Sequence, residues 1–250
     1  DPALRVRPQW DLSALYSVAG TSLADLVEPG NYVLSPSTRE ELASSLRCML
    51  AQGSDQLIFH LPGLSEAKSR QLMDQSLAVM KDHCEQGYNQ VHCTWGAGLA
   101  TLSFSAAGAG RRTQEYRAAA MEAAIAVHDR LWNEGVLRPD MAELEKARVY
   151  YGWICDNCVY DYQAGDDSLS HIPYSLFANG TAVCDGYTGA YNLLLKLEGI
   201  RCSTIIQGDH IWTVATLDGT EYHIDTTWGD SGSEVSYDYF AMPPQQSLAV

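Results

Sequence analysis

The chain is poor in positive charge and lacks any long apolar run. Of its 250 residues 16 are Lys or Arg against 31 Asp or Glu, a formal net charge of -15. No basic run is present that could neutralise several phosphates in a row, so nucleic acid is excluded as a partner on electrostatic grounds. No apolar stretch approaches the roughly 20 residues that a membrane-spanning helix needs. The chain opens at Asp1 rather than at a methionine, which reads as a mature or trimmed chain; a secretory or lipoprotein leader would have left no trace in what remains. Internal repeats and low-complexity segments are also missing. Apolar content of 46% suits a folded, core-burying protein, and 250 residues suffice for a catalytic domain with a smaller companion.

Seven cysteines stand at positions 48, 84, 93, 155, 158, 184 and 202. An odd count suits one working thiol plus up to three bridges, and equally seven free thiols. Cys84 and Cys93 flank a turn-like segment with Gly87 and Asn89 and can form a local disulfide in an oxidising compartment. Cys155 and Cys158 lack a second ligand pair at zinc-site spacing, so they read as buried thiols on one face of a helix, and no metal or other cofactor is expected.

Residues 1–110 read as a small mixed α/β unit. Ser35 to Thr38 carry capping chemistry for a helix running to about Gln52, followed by a strand from Gln56 to His60. A second helix is expected from Ser65 to about Glu85, stopped by Gly87, and strands interrupted by Gly96 and Gly98 cover Val91 to Ala106. Gly108 to Gly110 mark the boundary to residues 111–250. There two amphipathic helices come first, Thr113 to Asn133 and a second after Pro139-Asp140, and then an exposed polar loop over 163–171.

The stretch that carries chemistry begins at Asn179. Tyr187, Ala190, Tyr191, Leu194 and Leu195 keep a helical period and Gly199 stops it, so the helix begins close to Cys184 and places the thiol at its positive end. A helix N-terminus can depress a cysteine pKa below its free value of about 8.5, favouring the nucleophilic thiolate. Gly186 and Gly189, poor helix formers, imply close approach of that face to other backbone.

Downstream, Ile200 to Gln207 reads as a strand, and Asp218-Gly219 is a two-residue hairpin turn. Leu217 then faces Thr220, Trp212 faces Asp225 and His210 faces Thr227. His210 and Asp225 become diagonal neighbours on one side, within reach of each other, while Ile211, Thr213, Ala215, Tyr222 and Ile224 face the core. A three-residue loop would put the two on opposite faces. A histidine steadied by a carboxylate is what activates a thiol nucleophile.

The runs AVCDGYTGAYNLLLKLEGI, GDHIWTVATLDGTEYHIDTTWGD and YDYFAMP resemble the core of the transglutaminase-like superfamily, particularly its bacterial protease-like members. The resemblance covers about residues 145 to 242. It implies an α+β, papain-like fold with the nucleophile's helix packed on an antiparallel sheet, and Cys184, His210 and Asp225 fall on the three catalytic positions. Ile211 stands where the family has a small residue, and the Cys155/Cys158 pair lies outside the family pattern. Trp212 is expected to wall the site and Tyr174 to help an oxyanion hole with the backbone N–H of Cys184, while His223 is structural. The implied chemistry is acyl transfer on a peptide or protein substrate, protease-like hydrolysis ahead of crosslinking or deamidation, in an extracellular or cell-envelope setting. A rival reading is a cell-surface binding module that keeps the fold without the chemistry. Substrate identity and oligomeric state are not encoded in any readable motif.

Overall fold

The computed structural model describes residues 39–51, 54–61 and 63–247. The capping residues Ser35 to Thr38 lie outside the described residues. The chain divides into two compact units: a smaller one of the described residues up to Ser69 together with Cys93–Ser103, and a larger one of Arg70–His92 and Phe104 onward. The larger unit thus takes in residues 70–92, which the sequence reading places with the amino-terminal segment.

In the smaller unit, helix α1 (Arg39–Ala51) carries Leu42, Leu46 and Leu50 at four-residue spacing, and all three are buried. Strand β1 (Gln56–His60) pairs antiparallel with β3 (Leu99–Ser105), Leu57 opposite Leu102, and Phe59 is fully buried. Helix α2 (Glu66–Lys81) follows β1 and from Arg70 on belongs to the larger unit, as do Gln90 to His92 of β2 (Gln90–Gly96), the strand that takes the edge beyond β3. Ala97 and Gly98, both at positive φ, make the turn between β2 and β3.

The larger unit is built around helix α6. In chain order its main elements are α3 (Thr113–Asn133), α4 (Glu143–Asp156), β4 (Val159–Tyr160), α5 (Pro173–Asn179), β5 (Thr181–Ala182) and α6 (Cys184–Leu197). An antiparallel sheet β6-β7-β8 follows, made of Cys202–Gln207, His210–Leu217 and Thr220–Ile224. Every residue of α6 from Gly186 to Leu197 is buried, so helices cover it on some sides and the sheet on another. This is an α+β architecture with an antiparallel sheet, as the sequence implies.

Two polar anchors hold α6 at its carboxyl end. Lys196 forms a buried ion pair with Glu85, in the short 3₁₀ turn Cys84–Gln86. Burial alone would raise the Glu85 pKa, but Lys196 and His83 more than offset that and bring it to about 2. Just past the helix, the Glu198 carboxylate accepts from Trp132 Nε1 and Tyr150 OH, both at 2.7 Å, and from Lys146 Nζ at 2.9 Å. His128 Nε2 lies 3.1 Å from it. One carboxylate thereby ties α3 and α4 to the end of α6.

The hairpin turn is anchored as well. Asp218 and Gly219 both take positive φ, and Leu217 pairs with Thr220 as the two-residue turn requires. The Asp218 carboxylate accepts from the backbone N–H of Glu143 and Leu144, capping α4 from 75 residues away in sequence, while Glu143 accepts from the Asp218 N–H.

Glu198 gives a direct test of the anchoring. Burial pushes its pKa up, but its four donors win and hold it at about 2. Its contribution to stability is therefore complete above the unfolded value of about 4.3 and is lost as pH falls toward 2. Glu198→Ala removes the acceptor that Lys146, Tyr150, Trp132 and His128 share, and urea unfolding at pH 7 is expected to show a loss of about 3 kcal/mol. The variant's unfolding free energy should also vary less between pH 5 and pH 2 than that of the parent.

Candidate active site

The start of α6 is shaped by close backbone approach. A Cβ on Gly186 would sit 2.3 Å from the Ser170 carbonyl oxygen, and one on Gly189 would sit 2.7 Å from that of Cys84. Both glycines are therefore packing requirements, as their presence in a helix suggests. Cys184 is the first residue of α6, preceded by Val183 in extended conformation, and is partly exposed. Its Sγ lies 3.9 Å from the Asp209 carbonyl oxygen, which brings it to the entry of β7.

On the sheet, the register is the one that Asp218-Gly219 predicts, with Thr213 opposite Ile224. Ile211, Thr213, Ala215 and Ile224 are all buried on the core side. His210 opens β7, and its Nε2 stands 2.6 Å from Asp225 Oδ2. The Cys184 thiol bears on the same imidazole, adding to Asp225 in raising its pKa. Since Nε2 is committed to Asp225, Nδ1 is the nitrogen left for the thiol. The three residues that the sequence singles out are thus joined through one ring.

Asp225 differs from the sequence expectation in its backbone. Strand β8 ends at Ile224, and Asp225 is the N-cap of a single helical turn, α7 (Thr226–Gly229). Its Oδ1 accepts from the N–H of Thr227 and of Trp228, each at 3.0 Å, so Thr227 is helical instead of lying opposite His210 on a strand. Asp225 is 2% exposed, its own N–H is bonded to Tyr239 O, and Tyr151 OH donates to its carbonyl. With Oδ1 fixed by the cap, Oδ2 has one orientation in which to meet His210.

The ring of His210 stacks on Trp228, centroids 4.7 Å apart and planes 5° from parallel, and more loosely on Trp212 at 5.7 Å. Trp212 donates from Nε1 to Nδ1 of buried His223, so that histidine is an acceptor within the wall of the site, and burial lowers its pKa. For His210, burial also works against the charged form. Hydrogen bonds and charge from Asp225 and Cys184 outweigh it and raise the pKa to about 9.

Two cavities meet at His210 and Trp228. One, of about 310 Å³, is lined by Gln207, Gly208, Trp212, Asp225 and Met242 in addition. The other, of about 700 Å³ and more open, is lined by Tyr160, Tyr162, Thr227, Asp230 and Tyr239 as well. Tyr160 reaches it through the parallel pairing of β4 with β5, Tyr160 opposite Ala182, which lays it alongside the approach to Cys184. Burial and the neighbouring Cys184 both raise the Tyr160 pKa. Next to the thiol, Asp185 pairs with His171 at 2.9 Å and also accepts from the Gly186 N–H.

Tyr174 does not join this constellation. It packs at a tilt against Tyr116, centroids 4.6 Å apart, in a cluster with Ala106, Ala109 and Ile172, and lines neither cavity beside His210. The reason is its place on α5, whose Pro173–Asn179 turn faces α3. Cys155 and Cys158 are buried, but α4 ends at Asp156, so Cys158 lies beyond the helix instead of sharing its face. The described cysteines are free thiols, including Cys84 and Cys93, and no metal-binding group of three or more His, Cys, Asp or Glu occurs among the described residues. No described helix is long and apolar enough to cross a membrane.

Residues 130–224 match the family model for the transglutaminase-like superfamily, a span that includes Cys184 and His210 and ends one residue before Asp225. Kyphoscoliosis peptidase of Mus musculus is 26% identical over 112 residues, 38% of this chain and 17% of that protein. The Homo sapiens protein of the same name is 27% identical over 112 residues, with the same coverage. A crystal structure of a TGase aligns over 72% of this chain and 53% of its own, at TM-score 0.40 and 10% identity. Over residues 130–224 the chain is similar to the transglutaminase-like superfamily, and its match spans less than a fifth of the curated relatives' length.

The elevated His210 pKa has a sign that can be checked. A group raised from about 6.5 unfolded to about 9 folded contributes stability that is complete below about 6.5 and disappears as pH rises through about 9. A histidine-detected NMR titration is expected to show one imidazole with a midpoint near 9, moving down by at least about one unit in Asp225→Asn. A midpoint near 6.5 in the parent protein would contradict the geometry.

Proposed function

We propose that the domain is a cysteine-dependent acyl-transfer enzyme of protease-like, hydrolytic type, with Cys184 as nucleophile, His210 as base and acid, and Asp225 as the group that orients His210. The observation that carries this reading is the single imidazole hydrogen-bonded at Nε2 to a buried carboxylate, with its pKa raised by that carboxylate and by a partly exposed thiol at a helix start.

In the reaction, His210 already holds the proton at neutral pH because of its raised pKa, and Cys184 Sγ attacks the carbonyl carbon of a peptide or side-chain amide as the thiolate beside it. The oxyanion forms beside the first amides of α6, which have no intrahelical acceptor to bond. The C–N bond breaks, the amine or ammonia leaves with the proton from His210, and a thioester remains. Water then adds to the thioester with its proton passing to His210, and collapse restores the thiol and releases a carboxylic acid. An amine in place of water gives crosslinking by the same steps. Hydrolysis is preferred because the relatives that this chain resembles are named peptidases.

Asp225 fixes the orientation of the ring so that Nδ1 is turned toward the thiol and steadies its positive charge, and Trp228 covers one face of the ring against solvent. A triad held this way makes Cys184 chemically distinct from the buried thiols, two of which, Cys155 and Cys158, are pushed up by burial, Cys158 to about 12.

Iodoacetamide at neutral pH is expected to label Cys184 first, with His210→Ala slowing that labelling by at least about 100-fold, a typical scale for loss of a general base. A peptide library incubated with and without an added amine, read by mass, should give cleavage or deamidation products that vanish in Cys184→Ala. Well-folded protein that yields no product and labels its cysteines indiscriminately would favour the non-catalytic binding reading.

A further inference from the structure

The positive residues of this chain are distributed unevenly around the site. No Lys or Arg occurs between Arg148 and Lys196, and none after Arg201, whereas those two stretches hold five and seven Asp or Glu respectively. They are the stretches that supply every lining residue of both cavities at His210. A substrate approaching Cys184 therefore meets carboxylates without a compensating cation from either stretch.

The larger cavity adds a chemistry to that field. Its walls are the rings of Tyr160, Tyr162, Trp228 and Tyr239 with one carboxylate, Asp230. Tyr160 and Tyr162 stand 4.8 Å apart, and Trp228 meets Tyr239 edge to face at 5.6 Å, so the rings form adjoining pairs. Tyr162 is 83% exposed and Trp228 39%, so both rings are available to a ligand entering the cavity beside His210. Asp230 is held by Tyr187 OH on Oδ2 and by the Gly232 N–H on Oδ1. Thr227, also on the lining, has a buried hydroxyl that no protein group satisfies. Aromatic faces around a fixed carboxylate attract an ammonium or guanidinium group with an apolar stem, through the ring quadrupoles and the carboxylate together.

We propose that this cavity is the subsite for a Lys or Arg side chain of the acyl-donor peptide, so that the domain acts on basic peptide segments. The inference rests on the acyl-transfer reading of the same site and names its substrate class. The position on the Trp228 side of His210 puts the bound cation next to the reacting carbonyl, and the acidic surroundings raise the encounter rate for cationic chains.

Binding to the full chain carrying Cys184→Ser, which cannot turn over, tests it by calorimetry with three matched hexapeptides in which Lys, Leu or Glu flanks the same glutamine. At low salt the Lys peptide is expected to bind about tenfold tighter than the Leu peptide and the Glu peptide most weakly, with the Lys preference shrinking at high salt. Tyr162→Ala, at an exposed ring whose loss does not threaten the fold, should cut that preference to about threefold or less, and Asp230→Asn should do likewise. Equal affinities, tighter binding of the neutral peptide, no binding of any peptide, or a preference untouched by both substitutions would each overturn the proposal. Rapid His210-dependent alkylation of Cys184 together with charge-blind binding would remove this inference alone and leave the acyl-transfer reading in place.

Discussion

Both oxygens of the Asp225 carboxylate are committed, Oδ1 to the amides that open α7 and Oδ2 to the imidazole of His210. A carboxylate free to rotate would lose side-chain entropy each time it met the histidine. Here that cost is met during folding, when the helical turn forms and the cap closes. The same turn carries Trp228, so one local structure sets the carboxylate's orientation and lays an indole against the imidazole. Everything else in the larger unit serves to bring the start of α6 to that turn.

Long-range polar contacts do this where apolar packing alone would allow sliding. Asp218 locks the tip of the β7-β8 hairpin to the start of α4, and Glu198 locks α3 and α4 to the end of α6. Tyr151 on α4 reaches Asp225 O and Ser236 O, and a Cβ on Gly229 would sit 1.8 Å from its hydroxyl. The helix that bears the thiol and the turn that bears the acid are thus referenced to the same neighbour. Precision of this kind is what the proposed acyl transfer would need, because small displacements of a nucleophile or base cost rate steeply.

The parts of this arrangement visible in the sequence are those with local signatures. Asp218-Gly219 dictates a two-residue turn and hence the register that brings His210 to Asp225, and the Gly186/Gly189 spacing announces close packing of α6. The α7 turn had a signature too, since an Asp before two threonines is N-cap chemistry, but the β-branched residues favour extending the strand through it. The positions that were not readable depend on distant partners. Lys196 meets Glu85 across 111 residues, which draws 70–92 into the larger unit, and Tyr160 and Tyr162 reach the cleft through a two-residue strand too short to leave a periodic pattern. Tyr174 was misplaced because distance in sequence from Cys184 says nothing about which way α5 faces.

The double commitment of Asp225 bears on how relatives of this domain are interpreted. A lineage that abandoned the chemistry would be released from selection on Cys184 and His210, yet Asp225 would still be held in place by the turn it caps. Asn at this position could keep accepting from the two amides through its oxygen, but it would present an NH₂ donor to His210 and reverse the direction of that hydrogen bond. Either side chain thus satisfies the cap, so an acid retained here in place of the amide records its bond to the imidazole more than the fold of the turn.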